Sequence, residues 1–190
     1  MMIRNVEITV VEIPQIPPIA PYRSHLRSSS VTQSAIVRID TDEGLVGWGE
    51  YNCNFISAEE FVKGRRAANE LLAGHDPWDL EKYHAECPFE SRLKSGLEMA
   101  MWDLCGKAAG VPVASLLGGI IRPEVELAAC MGIQSYERAG EIASLYVEQG
   151  FSTLKTKAGS DMNEDLEMVR GVRDAVGMKL KLRIDPNRAY

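Results

Sequence analysis

The feature that most constrains the fold is a rhythm in the last part of the chain. Val125 to Ala129 is a short apolar run, Ser135 to Glu148 has the spacing of an amphipathic helix, and Gly150 stops it. Thr153 to Lys157 is a second strand-like run, and Glu164 to Val176 is a second helix that Gly177 ends. Leu180 to Ile184 is a third run. Strand, helix, strand, helix, strand at this spacing predicts a parallel β/α array with right-handed crossovers. Such arrays bind ligands at the carboxyl ends of their strands. Those ends carry Lys155-Thr156-Lys157 on the second strand and Asp185-Pro186-Asn187 at the third.

Alternation with period two sends Lys155 and Lys157 to one face of their strand. Two ammonium groups there repel each other, so an anionic group is expected between or in front of them. Taken alone, the triplet also fits an edge strand protected by lysine. Neighbouring strands lie about 4.8 Å apart, which lets Asp185 line the same pocket. An aspartate with an amide two residues on suits a hard divalent cation such as Mg²⁺, which prefers oxygen ligands. One carboxylate cannot hold that ion in a catalytic geometry, and two or more further acidic ligands are required. A metal on a substrate carboxylate stabilises an enediolate, and a lysine beside it removes the α-proton. That lysine must be neutral, against an ordinary pKa of about 10.4, and a second cation close by disfavours its protonated form.

The preceding 120 or so residues read differently. Ile3 to Ile13 is a strand, and Pro14 to Ser30, with prolines at 14, 17, 18 and 21, is an extended loop. It carries Tyr22, Arg23, His25 and Arg27, and is either a solvated loop or a flap whose cations meet an anionic ligand. Val31 to Ile39 and Leu45 to Glu50 form a hairpin through Asp40-Thr41-Asp42-Glu43-Gly44, and Tyr51 to Ile56 is a second polar and aromatic loop. Ser57 is the N-cap of a helix that Gly74 stops, and Asp76-Pro77-Trp78 opens a short one. A longer helix spans Leu93 to Ala109, where Glu98 and Asp103 need structural partners, with Lys107 one turn after Asp103. His75 and His84 have no carboxylate or histidine at ligand spacing, so surface or capping roles are expected.

Composition narrows the partners. A net charge of −6 over 190 residues argues against a nucleic-acid backbone. No apolar run approaches the roughly 18 residues of a membrane span, and no secretory segment follows Met1. Cys53, Cys87, Cys105 and Cys130 are scattered, which suggests neither a disulfide framework nor a zinc site, so a cytoplasmic location is expected.

Three motifs together resemble the mandelate racemase/muconate lactonizing branch of the enolase superfamily. Ser95 to Lys107, continuing through Pro112 to Gly118, is similar to the signature helix of that branch, departing at Met101, where a smaller residue is usual. Lys155-Thr156-Lys157 resembles the motif of the second barrel strand, and Leu182 to Asn187 that of the third. The resemblance implies an α+β capping domain over residues 1–120. Residues 121–190 would then be the first three β/α units of a (β/α)7β TIM-type barrel, incomplete in this chain. It implies Lys157 as the base, Lys155 as its tuner and carboxylate contact, Asp185 as a Mg²⁺ ligand and Asn187 as an orienting group. Tyr22, Arg23 and His25 would meet the substrate from the loop 14–31, and the loop 51–57 would close beside it. Further metal ligands would come from the fourth and fifth strands, and a second acid/base from later ones.

The expected activity is Mg²⁺-dependent abstraction of the proton α to a small carboxylate, an acid sugar or hydroxy acid. The expected class is a lyase (dehydratase) or an isomerase (racemase), inactive as these 190 residues alone. The alternatives are a cycloisomerase of the same superfamily and a non-catalytic binding or assembly module. Exposed apolar strand edges predict aggregation or pairing with another chain, and a homo-oligomer is expected.

Overall fold

The structure is a computed structural model that describes residues 1–54 and 56–190. Phe55, in the loop read at 51–57, lies outside the described residues. The first strand, β1 (Ile3–Pro14), is followed by two short strands, β2 (Tyr22–Arg23) and β3 (Ser28–Ser29), within the proline-rich segment. The hairpin strands are β4 (Val31–Thr41) and β5 (Val46–Asn52). Helices α1 (Ala58–Leu72), α2 (Leu80–Glu86), α3 (Ser91–Ala109) and the single turn α4 (Val113–Leu116) come next. The last part of the chain alternates β6 (Ala129–Met131), α5 (Tyr136–Glu148), β7 (Thr153–Lys157), α6 (Met162–Val176) and β8 (Lys181–Asp185).

Packing divides the chain into two units, Met1–Ile13 with Thr32–Pro123, and Pro14–Val31 with Glu124–Tyr190. The proline-rich segment thus packs with the second unit, although in sequence it lies between two stretches of the first.

In the first unit the sheet order is β1-β4-β5, with β4 and β5 antiparallel and Ile39 opposite Gly47. Its apolar residues (Ile3, Val6, Ile8, Ala35, Val37 and Ile39) are buried against Leu72, Leu97, Met101 and Leu104. Helix α3 lies almost in contact with β5. A Cβ on Gly49 would fall 2.0 Å from the Gly96 carbonyl oxygen, so only glycine permits this approach. Met101, the residue that departs from the signature helix, is fully buried in this core. Ser57 and Glu60 form a reciprocal capping box at the start of α1. Asp103 accepts from the Trp48 backbone N–H (2.8 Å) and the Lys107 ammonium (2.6 Å), which gives this carboxylate a structural role. His84 is not alone: its Nε2 lies 3.3 Å from Glu98.

In the second unit the strand order is β6-β7-β8, all parallel. The first strand begins at Ala129, later than the run Val125–Ala129 suggests. Pairing with β7 starts only at Ala129 opposite Leu154, so Val125 and Leu127 have no β7 partner and remain 77% and 76% exposed. Ser135 caps α5 and Asp161 caps α6. The two helices cover one face of the sheet, burying Ala129, Met131, Leu154, Met168 and Val172 together. No helix among the described residues is long and apolar enough to cross a membrane.

Candidate active site

The sheet face opposite the helices carries the charged residues. Register places Lys155 opposite Cys130 on one side and Arg183 on the other, and Lys157 opposite Asp185. Leu154 and Thr156 point the other way and are buried, as period-two alternation requires. The anionic group between the lysines is Asp185. Its Oδ2 accepts from Lys157 at 2.7 Å and lies 3.0 Å from the Lys155 ammonium. The other oxygen, Oδ1, accepts from the Asn187 backbone N–H at 3.1 Å. Asn187 reaches this position through a left-handed backbone (φ 49°), which asparagine tolerates better than most residues. Lys157, then Lys155 and the Asn187 N–H hold the Asp185 carboxyl well below the usual carboxylate range. Lys157 is the more enclosed lysine, with 14% of its side chain exposed against 37% for Lys155.

The proline-rich segment is docked over this face of its own unit. Strands β2 and β3 pair Tyr22 with Ser29 and Arg23 with Ser28. The Ile133 N–H donates to the Arg23 carbonyl at 2.8 Å. A Cβ on Gly132 would lie 2.5 Å from the Arg23 nitrogen, so glycine there forms the socket for β2. Tyr22 enters the site: its hydroxyl is 3.6 Å from the Cys130 Sγ, and burial, with that thiol, pushes its pKa up. His25 lies beside the end of β7, its Cγ 3.7 Å from where a Gly159 Cβ would be, and its Nδ1 is buried with no hydrogen-bond partner among the described residues. Arg23 points elsewhere. Its guanidinium is forked onto Glu164 on α6 at 2.7 and 2.9 Å, so it is not presented to the lysine–aspartate cluster.

Cys130, Gly132 and Glu164 were not singled out by sequence reasoning. A glycine just after a predicted strand and a glutamate in the first turn of a predicted helix are too common to signal a site. Asp185 offers one hard oxygen donor for a divalent cation. Among the described residues no group of three or more His, Cys, Asp or Glu side chains is placed to hold a metal. Asp185 thus fits as a single ligand, and the other donors a Mg²⁺ site needs are not among the described residues.

A parallel β/α unit with this lysine–aspartate cluster at its strand ends, joined to an α+β unit, defines the enolase-superfamily class. A family model described as "Mandelate racemase / muconate lactonizing enzyme, N-terminal domain" matches residues 6–118, and one described as "Enolase C-terminal domain-like" matches residues 137–190. The chain belongs to the mandelate racemase/muconate lactonizing enzyme family of the enolase superfamily. It is similar to a hydrophobic dipeptide epimerase of Enterococcus faecalis, 35% identical over 165 residues that make up 83% of this chain and 46% of the relative. It is 31% identical to an L-Ala-D/L-Glu epimerase of Bacillus subtilis, over 92% of this chain and 50% of the relative. Among solved structures, the Enterococcus faecalis dipeptide epimerase complexed with Mg and the dipeptide L-Leu-L-Tyr superposes with a TM-score of 0.90 at 30% identity. That match covers all of this chain and 55% of the other. Other relatives are named as a racemase, a cycloisomerase and two dehydratases. The chain spans about half the length of the curated relatives it matches.

Proposed function

We propose that the protein removes the proton α to a substrate carboxylate and returns one to the same carbon, an epimerase or racemase reaction. Lys157 is the base. The C–H bond breaks, the proton passes to the Lys157 Nζ, and the electron pair left behind delocalises into the carboxylate. Lys155, one step back on the same face, contacts the substrate carboxylate and adds positive charge beside the base. Asp185 would hold Mg²⁺ together with donors that these residues do not supply, and the ion, when bound, stabilises the negative charge that develops on the carboxylate. The Asn187 N–H fixes the Asp185 carboxylate, while Tyr22 and His25 bound the substrate from the docked segment.

The observation that carries the reading is the convergence of Lys155 and Lys157 on Asp185 across the ends of two adjacent parallel strands. The substrate class moves from acid sugars and hydroxy acids toward dipeptides, supported by relatives named as dipeptide and L-Ala-D/L-amino-acid epimerases. On this reading residues 121–190 are the opening of a (β/α)7β barrel.

The test is α-proton exchange in deuterated water, followed by NMR, on a panel of dipeptides, hydroxy acids and acid sugars with Mg²⁺ present. Lys157→Ala in the full protein is expected to slow exchange at one face of the carbon by about 10²–10⁴-fold, the usual contribution of a positioned base. Undiminished exchange at both faces would remove Lys157 from the reaction.

A further inference from the structure

Glu164 lies outside the lysine–aspartate cluster, yet it makes a specific contact with the proline-rich segment. The two terminal guanidinium nitrogens of Arg23, Nη1 and Nη2, donate to its two carboxylate oxygens, at 2.7 and 2.9 Å, in the planar fork that only arginine offers. Glu164 sits in the first turn of α6, where Asp161 caps the helix and a negative charge is favoured. The pair is half-enclosed, with side chains 43% and 32% exposed. Its neighbour in the segment, Tyr22, touches Cys130 on β6. Two residues beyond Arg23, His25 lies beside Gly159 at the end of β7. A turn closed by the Ser24 N–H donating to the Arg27 carbonyl (2.8 Å) carries His25 between these anchors.

We propose that Glu164 is a positioning residue: its forked pair with Arg23 latches the segment Pro14–Val31 onto helix α6 and holds Tyr22 and His25 over the strand ends where substrate binds. The proposal rests on the reaction assigned above, and it reassigns Arg23 from substrate contact to latch. Backbone docking at Gly132 and Ile133 sets where β2 lies, and the fork sets how firmly the tip beyond it is held. Breaking the fork frees the tip without removing a group that touches the reacting atoms. Substrate capture weakens while the proton-transfer step is largely kept.

The test compares the full protein with its Glu164→Gln, Glu164→Ala and Arg23→Lys variants. Three quantities are read: the rate of trypsin cleavage after Arg27, the KM and kcat of α-proton exchange, and the melting temperature. Glu164→Gln is expected to raise both cleavage after Arg27 and KM about three- to tenfold, with kcat within about twofold and little change in melting temperature. Arg23→Lys keeps the charge but not the fork, and should fall between wild type and Glu164→Gln. Cleavage and KM within about 1.5-fold of wild type in both Glu164 variants would overturn the latch. So would cleavage that rises equally after Arg122 and Lys179, since that reports general loosening. If wild type exchanges no α-proton on any substrate of the panel, the assigned reaction fails and the cleavage rates alone decide the latch.

Discussion

Gly132→Ala probes how the proline-rich segment is seated. The backbone at Gly132 has no positive φ, so alanine meets no conformational penalty of its own. The difficulty is the space above it. The new Cβ would stand 2.5 Å from the Arg23 nitrogen and 2.7 Å from its carbonyl oxygen, both main-chain atoms. To reach ordinary contact β2 must retreat by about 1 Å. That shift stretches the Ile133–Arg23 hydrogen bond, now 2.8 Å, beyond useful length. It also pulls the Arg23 fork off Glu164. Losing one backbone hydrogen bond costs about 1 kcal/mol, and a partly exposed ion pair adds up to about 1 kcal/mol more. A loss of about 1–2 kcal/mol raises the open population of the segment about five- to thirtyfold. Hydrogen–deuterium exchange reads this at the Ile133 amide and across residues 22–29, with the Leu154 amide as an internal reference. Ile133 exchanging within about twofold of wild type would refute the reasoning. Equal acceleration at Leu154 would refute it too, because the effect would then not be local to the segment.

Two further outcomes follow from burial. Leu154 is fully enclosed among Ala129, Met168 and Val172, so Leu154→Ala should cost about 2–5 kcal/mol in chemical denaturation. A cost under about 1 kcal/mol would mean that this core is loosely packed. Burial pushes the Cys105 thiol up to about 11, and its Sγ lies 3.4 Å from the Pro77 carbonyl. Because the folded value is raised, the unfolded chain loses this proton first. The contribution to stability is full below pH about 9 and fades as pH rises toward 11. Alkylation followed by peptide mapping should therefore leave Cys105 unmodified in native protein at neutral pH, and rapid labelling there would contradict its burial.

The lysine–aspartate cluster was legible in the sequence for a specific reason. Thr153–Lys157 is short, bounded by Gly150 and Gly159, and alternates cleanly, so face and register follow from the period alone. Asp185 closes a run of the same length one strand over. The start of β6 was not legible. Val125 and Leu127 alternate with glutamates as a strand would, but pairing depends on where β7 begins, and β7 begins too late to reach them. Nor could sequence separate the cations of the proline-rich segment. Arg23 and Arg27 look equivalent there, and what distinguishes Arg23 is a glutamate 141 residues away, brought near only by the fold. The carboxylates of α3 were read correctly in kind. Asp103 does pair with Lys107, and its second partner, the Trp48 N–H, depends on the close seating of α3 against glycines of β5.

The path of Pro14–Val31 has a topological consequence. The chain leaves the first unit after Ile13, re-enters it at Thr32 and leaves it again after Pro123, so the polypeptide passes between the units three times. A protease nick anywhere from residue 117 to residue 127 would cut one of those three ties and leave the other two covalently intact. Nor can the two units be prepared as separate pieces by choosing one cut site. Residues 1–123 would carry the segment away from the surface that seats it, and residues 124–190 would keep an empty socket at Gly132. In genetic terms the segment is an insertion into one unit that completes the other, so recombination between relatives must exchange both stretches together to keep the seat and its occupant matched.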